Sequence, residues 1–511
     1  MQGRPTIVTY DLHQGLKPAL EGLLIYQGIW QDPVLNAFRS LVGELDLSDQ
    51  LLRSKGESQE NQSNIRDTRA GCGEPRLSEV YYAFLGLLME SNAGIRLDSG
   101  VEGSVWQEHL LDIMLAYSSP VLEALCKEGL GYGKASAFSW HMDVLKHDLM
   151  LLSRLFWAFD AGVSRWIAEA LVDTSLPQDG ILHALHRWQA GEEPMTSGAS
   201  HRGENTLRHG AQGTEASSAK AVLENGALAL KGQFYSTCDW AELAPLLIDY
   251  HGKYGIGHFA KHAAFTWSSA PGGGLVGVDV IDPIQLDELS GYGEQVEKVV
   301  VNTERFLQGL PAHNVLLYGD RGTGKSSTVK GLIHKFVDQG LRLVEVGREE
   351  LGGLGDLVQN LSRSSLKFIV FVDDLSFEEN ETEFKALKSV LEGSIIRQPD
   401  NVRIYATSNR RHLIKESFSD VDAGGELRWQ DTVQEKLSLS DRFGLTVIYP
   451  SPDQKTYLSI VEHLAAMEGL SMDQGELRAR ALQWTLWHNE RSGRTARQFI
   501  DELKAEQEMQ G

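Results

Sequence analysis

With 511 residues the chain is long enough for two or three domains, and its 42% apolar content suits globular cores, while 51 glycines point to long loops. A formal net charge of −22 at pH 7 disfavours a general electrostatic grip on nucleic acid or anionic lipid and leaves room only for a local basic patch. The three cysteines, Cys72, Cys126 and Cys238, stand far apart with no Cys-x-x-Cys pair, which argues against a disulfide scaffold or cysteine zinc site and fits a reducing compartment.

The first ten residues, Met1 to Tyr10, lack an apolar signal core, and no apolar run reaches the length of a membrane span. A soluble cytoplasmic protein without membrane insertion is expected. Residues 13–48 carry apolar positions at helical spacing: Leu16, Leu20, Leu23 and Leu24, then Leu35, Phe38 and Leu41. Residues 49–75 are polar and turn-rich, ending Gly71-Cys-Gly-Glu-Pro75, as a mobile loop would be. Helical periodicity returns over 78–172. It is strongest from Met142 to Trp157, where apolar positions 145, 149, 152, 155 and 156 share one face. A packed helical bundle accounts for that face better than an open partner-binding groove, so 1–187 is read as a mostly helical N-terminal region.

Residues 188–218 mix Gly, Ser, Thr, Glu and His with few large apolar groups, the composition of a disordered linker. His201 and His209 lack the spacing of a zinc motif. From 229 to 268 aromatics cluster: Phe234, Tyr235, Trp240, Tyr250, Tyr254, Phe259, Phe265 and Trp267. Interleaved with many basic residues they would resemble a surface for stacking single-stranded bases. With only Lys231, Lys253 and Lys261 nearby, a helical docking element is expected instead. Ser269-Ala-Pro-Gly-Gly-Gly274 then reads as a hinge, so that docking segment and hinge fill 219–275.

A complete P-loop follows. The apolar run Asn314–Tyr318 leads into Gly319, Asp320, Arg321, Gly322, Thr323, Gly324, Lys325 and Ser326, and a helix-like run opens at Ser327. Glycines let the backbone curl so that successive N–H groups point at phosphate oxygens, and the following helix N-terminus adds its dipole. Lys325 is placed for the β- and γ-phosphates, and the Ser326 hydroxyl for Mg²⁺. A nucleoside triphosphate ligand is therefore expected, with Mg²⁺. Leu341–Val346 reads as the next strand and Phe368–Val372 as one buried on both faces. The latter ends in Asp373 and Asp374, carboxylates that open into the ligand crevice of a parallel sheet. Asp373 would hold Mg²⁺, and Asp374 would orient the attacking water, with Glu378 as another group for that task. Asn401–Asn409 is a further strand closing on Thr407, Ser408 and Asn409, whose amide can serve the γ-phosphate or the water. Arg442 precedes the last strand, Leu445–Tyr449, where a side chain can reach a neighbouring subunit's site as arginine fingers do.

These residues resemble the AAA+ superfamily. The resemblance gives Walker A at 319–326, Walker B at 368–374, sensor 1 at Asn409 and an arginine-finger box at Asp441-Arg-Phe443. It gives a box that contacts adenine at Leu286–Gly293, including Gly291 and Tyr292. Three helix-like segments, about 452–469, 473–490 and 494–508, resemble the small helical lid. Within the last, Arg497 stands in the favoured sensor 2 position, with Arg494 the alternative. Asn302-Thr-Glu-Arg-Phe-Leu-Gln-Gly309, the P-loop through Ser327, Asp373–Glu378 and Tyr405–Leu413 are similar in wording to the ATPases of domain of unknown function family 815. That resemblance covers about 280–511 well and 230–280 loosely. It implies an α/β fold with a parallel five-stranded sheet, helices on both faces, an AAA+ core at 276–451 and a helical lid at 452–511. Where most AAA+ proteins carry Glu after the Walker B Asp, this chain has Asp374. It implies an ATPase, an oligomer and a protein or nucleoprotein client. A slow nucleotide-dependent switch or scaffold acting through the N-terminal helices is the alternative, and a helicase-loader-like nucleic-acid partner a third reading that the acidity opposes.

Overall fold

The computed structural model describes residues 12–43, 83–84, 87, 105–129, 135–158, 219–270, 272–375, 382–392, 399–409, 442–470, 472–488 and 490–510. The stretches read as a mobile loop (49–75) and a disordered linker (188–218) lie outside them, as do Glu378, Asp441, His201 and His209. The chain divides into two compact units, one formed by 1–214 with 226–250 and the other by 215–225 with 251–511.

In its described part the first unit is helical. It holds α1 (Leu12–Glu21), α2 (33–43), α3 (Val105–Ala116), α4 (Pro120–Gly129) and α5 (Ala135–Ala158). Parts of α6 (Ala219–Ser236) and α7 (Ala244–Tyr254) complete it. The periodic positions of α5, Leu145, Leu149, Leu152, Leu155 and Phe156, are all buried, so the apolar stripe faces a core. Phe156 packs 4.8 Å from Trp240, whose ring lies 4.7 Å from Phe234 and whose Nε1 donates to the Phe234 carbonyl at 3.1 Å. These three rings are core of the helical unit, because each finds an apolar partner and the Trp240 N–H a carbonyl. Asp148 on α5 is buried, and its carboxylate accepts the backbone N–H groups of Leu24, Ile25 and Tyr26 at 2.7–3.1 Å. Three donors offset the cost of burying that charge and fix the loop after α1.

The second unit is built on a seven-stranded sheet in the order β2-β1-β4-β5-β6-β3-β7. Five strands match the expected set: β3 (Val315–Gly319), β4 (Leu341–Val346), β5 (Lys367–Val372), β6 (Val402–Ser408) and β7 (Leu445–Tyr449), all paired in parallel. The other two correct the sequence reading. Residues 264–268 and 274–275, assigned there to a helical docking segment and hinge, belong to strands β1 (Ala264–Ser268) and β2 (Gly274–Val278). β1 runs parallel to β4 and antiparallel to β2, so the glycines at 272–274 turn a hairpin instead of forming a hinge. A five-residue strand inside an aromatic cluster carries too short a period to separate from a helix end.

Helices cover both faces, and alternation along the strands says which. Val315 and Leu317 point to the layer of α8 (Gly293–Leu307) and α9 (Lys325–Phe336), and Leu316 to that of α10 (Leu354–Leu361) and α11 (Thr382–Glu392). The lid comprises α12 (Gln454–Met467), α13 (Gln474–His488) and α14 (Gly493–Gln510) and shares the first layer's core through Tyr457, Ile460 and Ile500. Arg342 on β4 is fully buried and donates to the carbonyls of Phe259, Val337, Leu341 and Tyr254, which pins the chain entering β1 to the sheet.

Candidate nucleotide-binding site

Strands β3, β5 and β6 are neighbours running the same way, so their C-terminal ends deliver the P-loop, Asp373-Asp374 and Asn409 to one edge. A cleft of about 570 Å³ opens there. Its phosphate side is lined by residues 321–327, Asp373, Asp374, Thr407 and Asn409, and its far wall by the lid. Gly319 has φ +151°, and a Cβ there would overlap the Tyr449 carbonyl oxygen, so only glycine lets β3 turn into the loop beside β7. Thr323 Oγ1 donates to the Asp320 carbonyl at 2.8 Å, and the Asp320 carboxylate accepts from Ser451.

Lys325 is 5% exposed. Its Nζ donates to the carbonyls of Gly319 (2.9 Å) and Asp320 (2.6 Å) and to Asn409 Oδ1 (3.0 Å). Burial lowers its pKa, against the pull of Asp320, Asp373 and Asp374. Ser326 Oγ donates to Asp373 Oδ1 at 2.6 Å, and Thr407 Oγ1 donates to the same oxygen at 2.5 Å. The Asp374 N–H donates to Thr407 Oγ1 at 2.9 Å, and Asn409 Nδ2 donates to Asp374 Oδ1 at 2.6 Å. Asp374 has φ +50°, the only positive φ of a non-glycine residue among the described residues. Aspartate tolerates this left-handed geometry better than most residues do. Thr407 was legible only as a polar strand ending; its position two residues before Asn409 puts both side chains on one face.

The base side is apolar. Ile284, Leu289 and Tyr292 face Ile460 and Leu464 of α12 across the cleft. Tyr292 donates its hydroxyl to the Pro450 carbonyl at 3.0 Å; burial, then Asp320, raises its pKa to about 12, so it stays a neutral donor. A side chain at Gly291 would collide with Thr456 and Ile460 of α12, so the glycine sets how closely the lid approaches.

The two candidate lid arginines differ. Arg497 gives Nη1 to Glu468 (2.9 Å) and Nη2 to Glu288 (2.5 Å). Both arginines line the cleft, and Arg494 also donates its backbone N–H to the Gly322 carbonyl at 3.2 Å. The phosphate role favoured for Arg497 from sequence is thus opposed by two carboxylates that already hold its guanidinium. Arg442 is not brought to this cleft. It precedes Leu445, which pairs with Val315 at the start of β3, whereas the P-loop leaves the other end of that strand.

Residues 260–507 match the family described as "Protein of unknown function (DUF815)". They form an AAA+ P-loop domain of the DUF815 family. The proteasome-activating nucleotidase of Methanosarcina mazei is 25% identical over 167 residues, a match covering 27% of this chain and 40% of that protein. The chain therefore spans well under half of that relative's length. Two solved structures of RuvB from Thermotoga maritima, one described as a Holliday junction branch migration motor, align over 43% of this chain and 72% of their own. Their identities are 16% and 17% and their TM-scores 0.27 and 0.28. In this DUF815 domain the site fits a magnesium nucleotide on its own chemistry. Ser326 Oγ and Asp373 Oδ1 are hard oxygens at the phosphate side, and Mg²⁺ needs only one or two protein oxygens when phosphates and water supply the rest. No helix among the described residues is long and apolar enough to cross a membrane.

Proposed function

We propose that the chain hydrolyses ATP to ADP and phosphate with Mg²⁺, as an oligomer in which Arg442 of one copy completes the site of the next, and uses the cycle to remodel a protein or nucleoprotein client. The observation that carries this reading is the hydrogen-bonded set Lys325, Ser326, Asp373, Asp374 and Asn409, gathered from three adjacent strand ends around one cleft. Phosphate oxygens would replace the carbonyls and the Asn409 amide oxygen at Lys325 Nζ. Mg²⁺, held by Ser326 and Asp373, would neutralise charge on the phosphates. Asp374 would accept a hydrogen bond from the attacking water, oriented by the amide it already holds. Arg494 would be the lid cation nearest the phosphates. Single-turnover hydrolysis of ATP with Mg²⁺ tests the reading: wild type is expected to turn over, and Lys325→Ala to lose ATP affinity and turnover together. Undiminished turnover in Lys325→Ala would remove the site assignment.

One observation favours a slower device, the nucleotide-dependent switch. The Asp374 carboxylate is fixed through Oδ1 by Asn409 on a left-handed backbone, so its second oxygen can meet a water only where that geometry points it. A wild-type rate that stays slow at every protein concentration would support it.

A further inference from the structure

Helix α14 meets the cleft at two points about one turn apart. At its start the Arg494 N–H holds the Gly322 carbonyl, and buried Ser492 packs against Gly322. One turn on, Arg497 forks between Glu288 and Glu468. Glu288 closes the short turn Leu286–Glu288, where its Oε1 also accepts the Gln285 N–H at 3.0 Å. Glu468 is the C-cap of α12, and its Oε2 accepts from Lys504 of α14 at 2.8 Å. An ion-pair chain thus runs Glu288–Arg497–Glu468–Lys504, from the wall beside Leu289 and Ser290 into two lid helices. Side-chain exposures of 18%, 32% and 26% for Glu288, Arg497 and Glu468 place it between surface pairs, worth little, and buried ones. The planar guanidinium can engage both carboxylates at once, which a lysine ammonium does with far less directional control.

We propose that Glu288 is a positioning residue that holds the lid through Arg497, so that lid closure is set from the base-side wall as well as from the phosphates. A base entering between Leu289 and Tyr292 on one side and Ile460 and Leu464 on the other must settle against both the Glu288 turn and α12. The Glu288–Arg497–Glu468 fork ties those two surfaces together, so a shift of one is carried to the other. What closure does depends on the nucleotide reading above; the latch itself exists without nucleotide.

Hydrogen exchange of the nucleotide-free full chain tests the latch. Glu288→Gln keeps the acceptor for Gln285 but removes the charge, and is expected to speed exchange of amides 497–504 about five- to tenfold. Arg497→Gln should do the same, and the double variant should be no worse than the more severe single one. Additive effects, or unchanged exchange in Glu288→Gln, would overturn the proposal. Titration with ADP, and with ATP under turnover, adds an independent readout: Glu288→Gln should raise Kd and KM several-fold while kcat changes less. Wild type that binds no ADP would remove the nucleotide reading and leave the exchange result to decide the latch.

Discussion

Asp374 carries both a chemical and a conformational demand. Its backbone sits at φ +50°, its N–H is held by Thr407, and its carboxylate receives the Asn409 amide. Asparagine adopts left-handed geometry as readily as aspartate, so Asp374→Asn should leave fold and ATP affinity unchanged. It should cut single-turnover hydrolysis by about a hundredfold or more, the range for losing a group that acts on the attacking water. An equal rate in the variant would mean that another carboxylate positions the water. Lys325 and Ser326 were legible in the sequence because strand, loop and helix follow one another over a few residues, and Asp373 because it follows an unbroken apolar run. The pairing of Glu288 with Arg497 was not, because it spans 209 positions and depends on where the lid lands.

Among the elements, those with a clear apolar pattern bounded by turns or motifs were readable, and the strand within the aromatic cluster was not. The stripe on α5 and the apolar runs of β3 and β5 carry their own burial pattern, which the structure repeats residue for residue. β1 is legible only through β4, whose parallel register it needs for its backbone hydrogen bonds. Phe265 on β1 is 1% exposed and packs 5.2 Å from Phe259 and within the core cluster of β4 and β5. Phe265→Ala should therefore cost about 3–5 kcal/mol, the range for deleting a buried phenylalanine. Chemical denaturation followed by hydrogen exchange in β1 and β4 measures it. Loss under 1 kcal/mol would show that the hairpin contributes little to the sheet.

At the scale of the whole molecule the question is whether another copy supplies a further cation to the site. Within one chain Arg442 and the P-loop lie at opposite ends of paired strands, so Arg442 can serve phosphate chemistry only in another copy. A finger supplied in trans is worth about a thousandfold or more in rate, because it meets charge that develops during transfer. ATPase activity per chain is accordingly expected to rise with protein concentration. Mixing Arg442→Ala with Lys325→Ala protein should restore part of the activity that each lacks alone. A concentration-independent rate with no rescue on mixing would leave the monomeric switch. The net charge of −22 also means that assembling copies face mutual repulsion, so association should strengthen as salt screens it.

Helix α14 works as an unequal lever. Its 18 residues span about 27 Å at 1.5 Å per residue, yet Arg494 and Arg497, where it meets the cleft, occupy only about the first 6 Å. Packing on α12 and α13, with Lys504 and Glu506 paired to Glu468 and Arg480, ties its distal part into one body. A displacement of about 1 Å at the cleft end then becomes roughly 4 Å at the distal tip if the helix pivots at its first residue. Small adjustments around a bound ligand are in this way magnified at the distal tip of α14, where Met509 faces solvent.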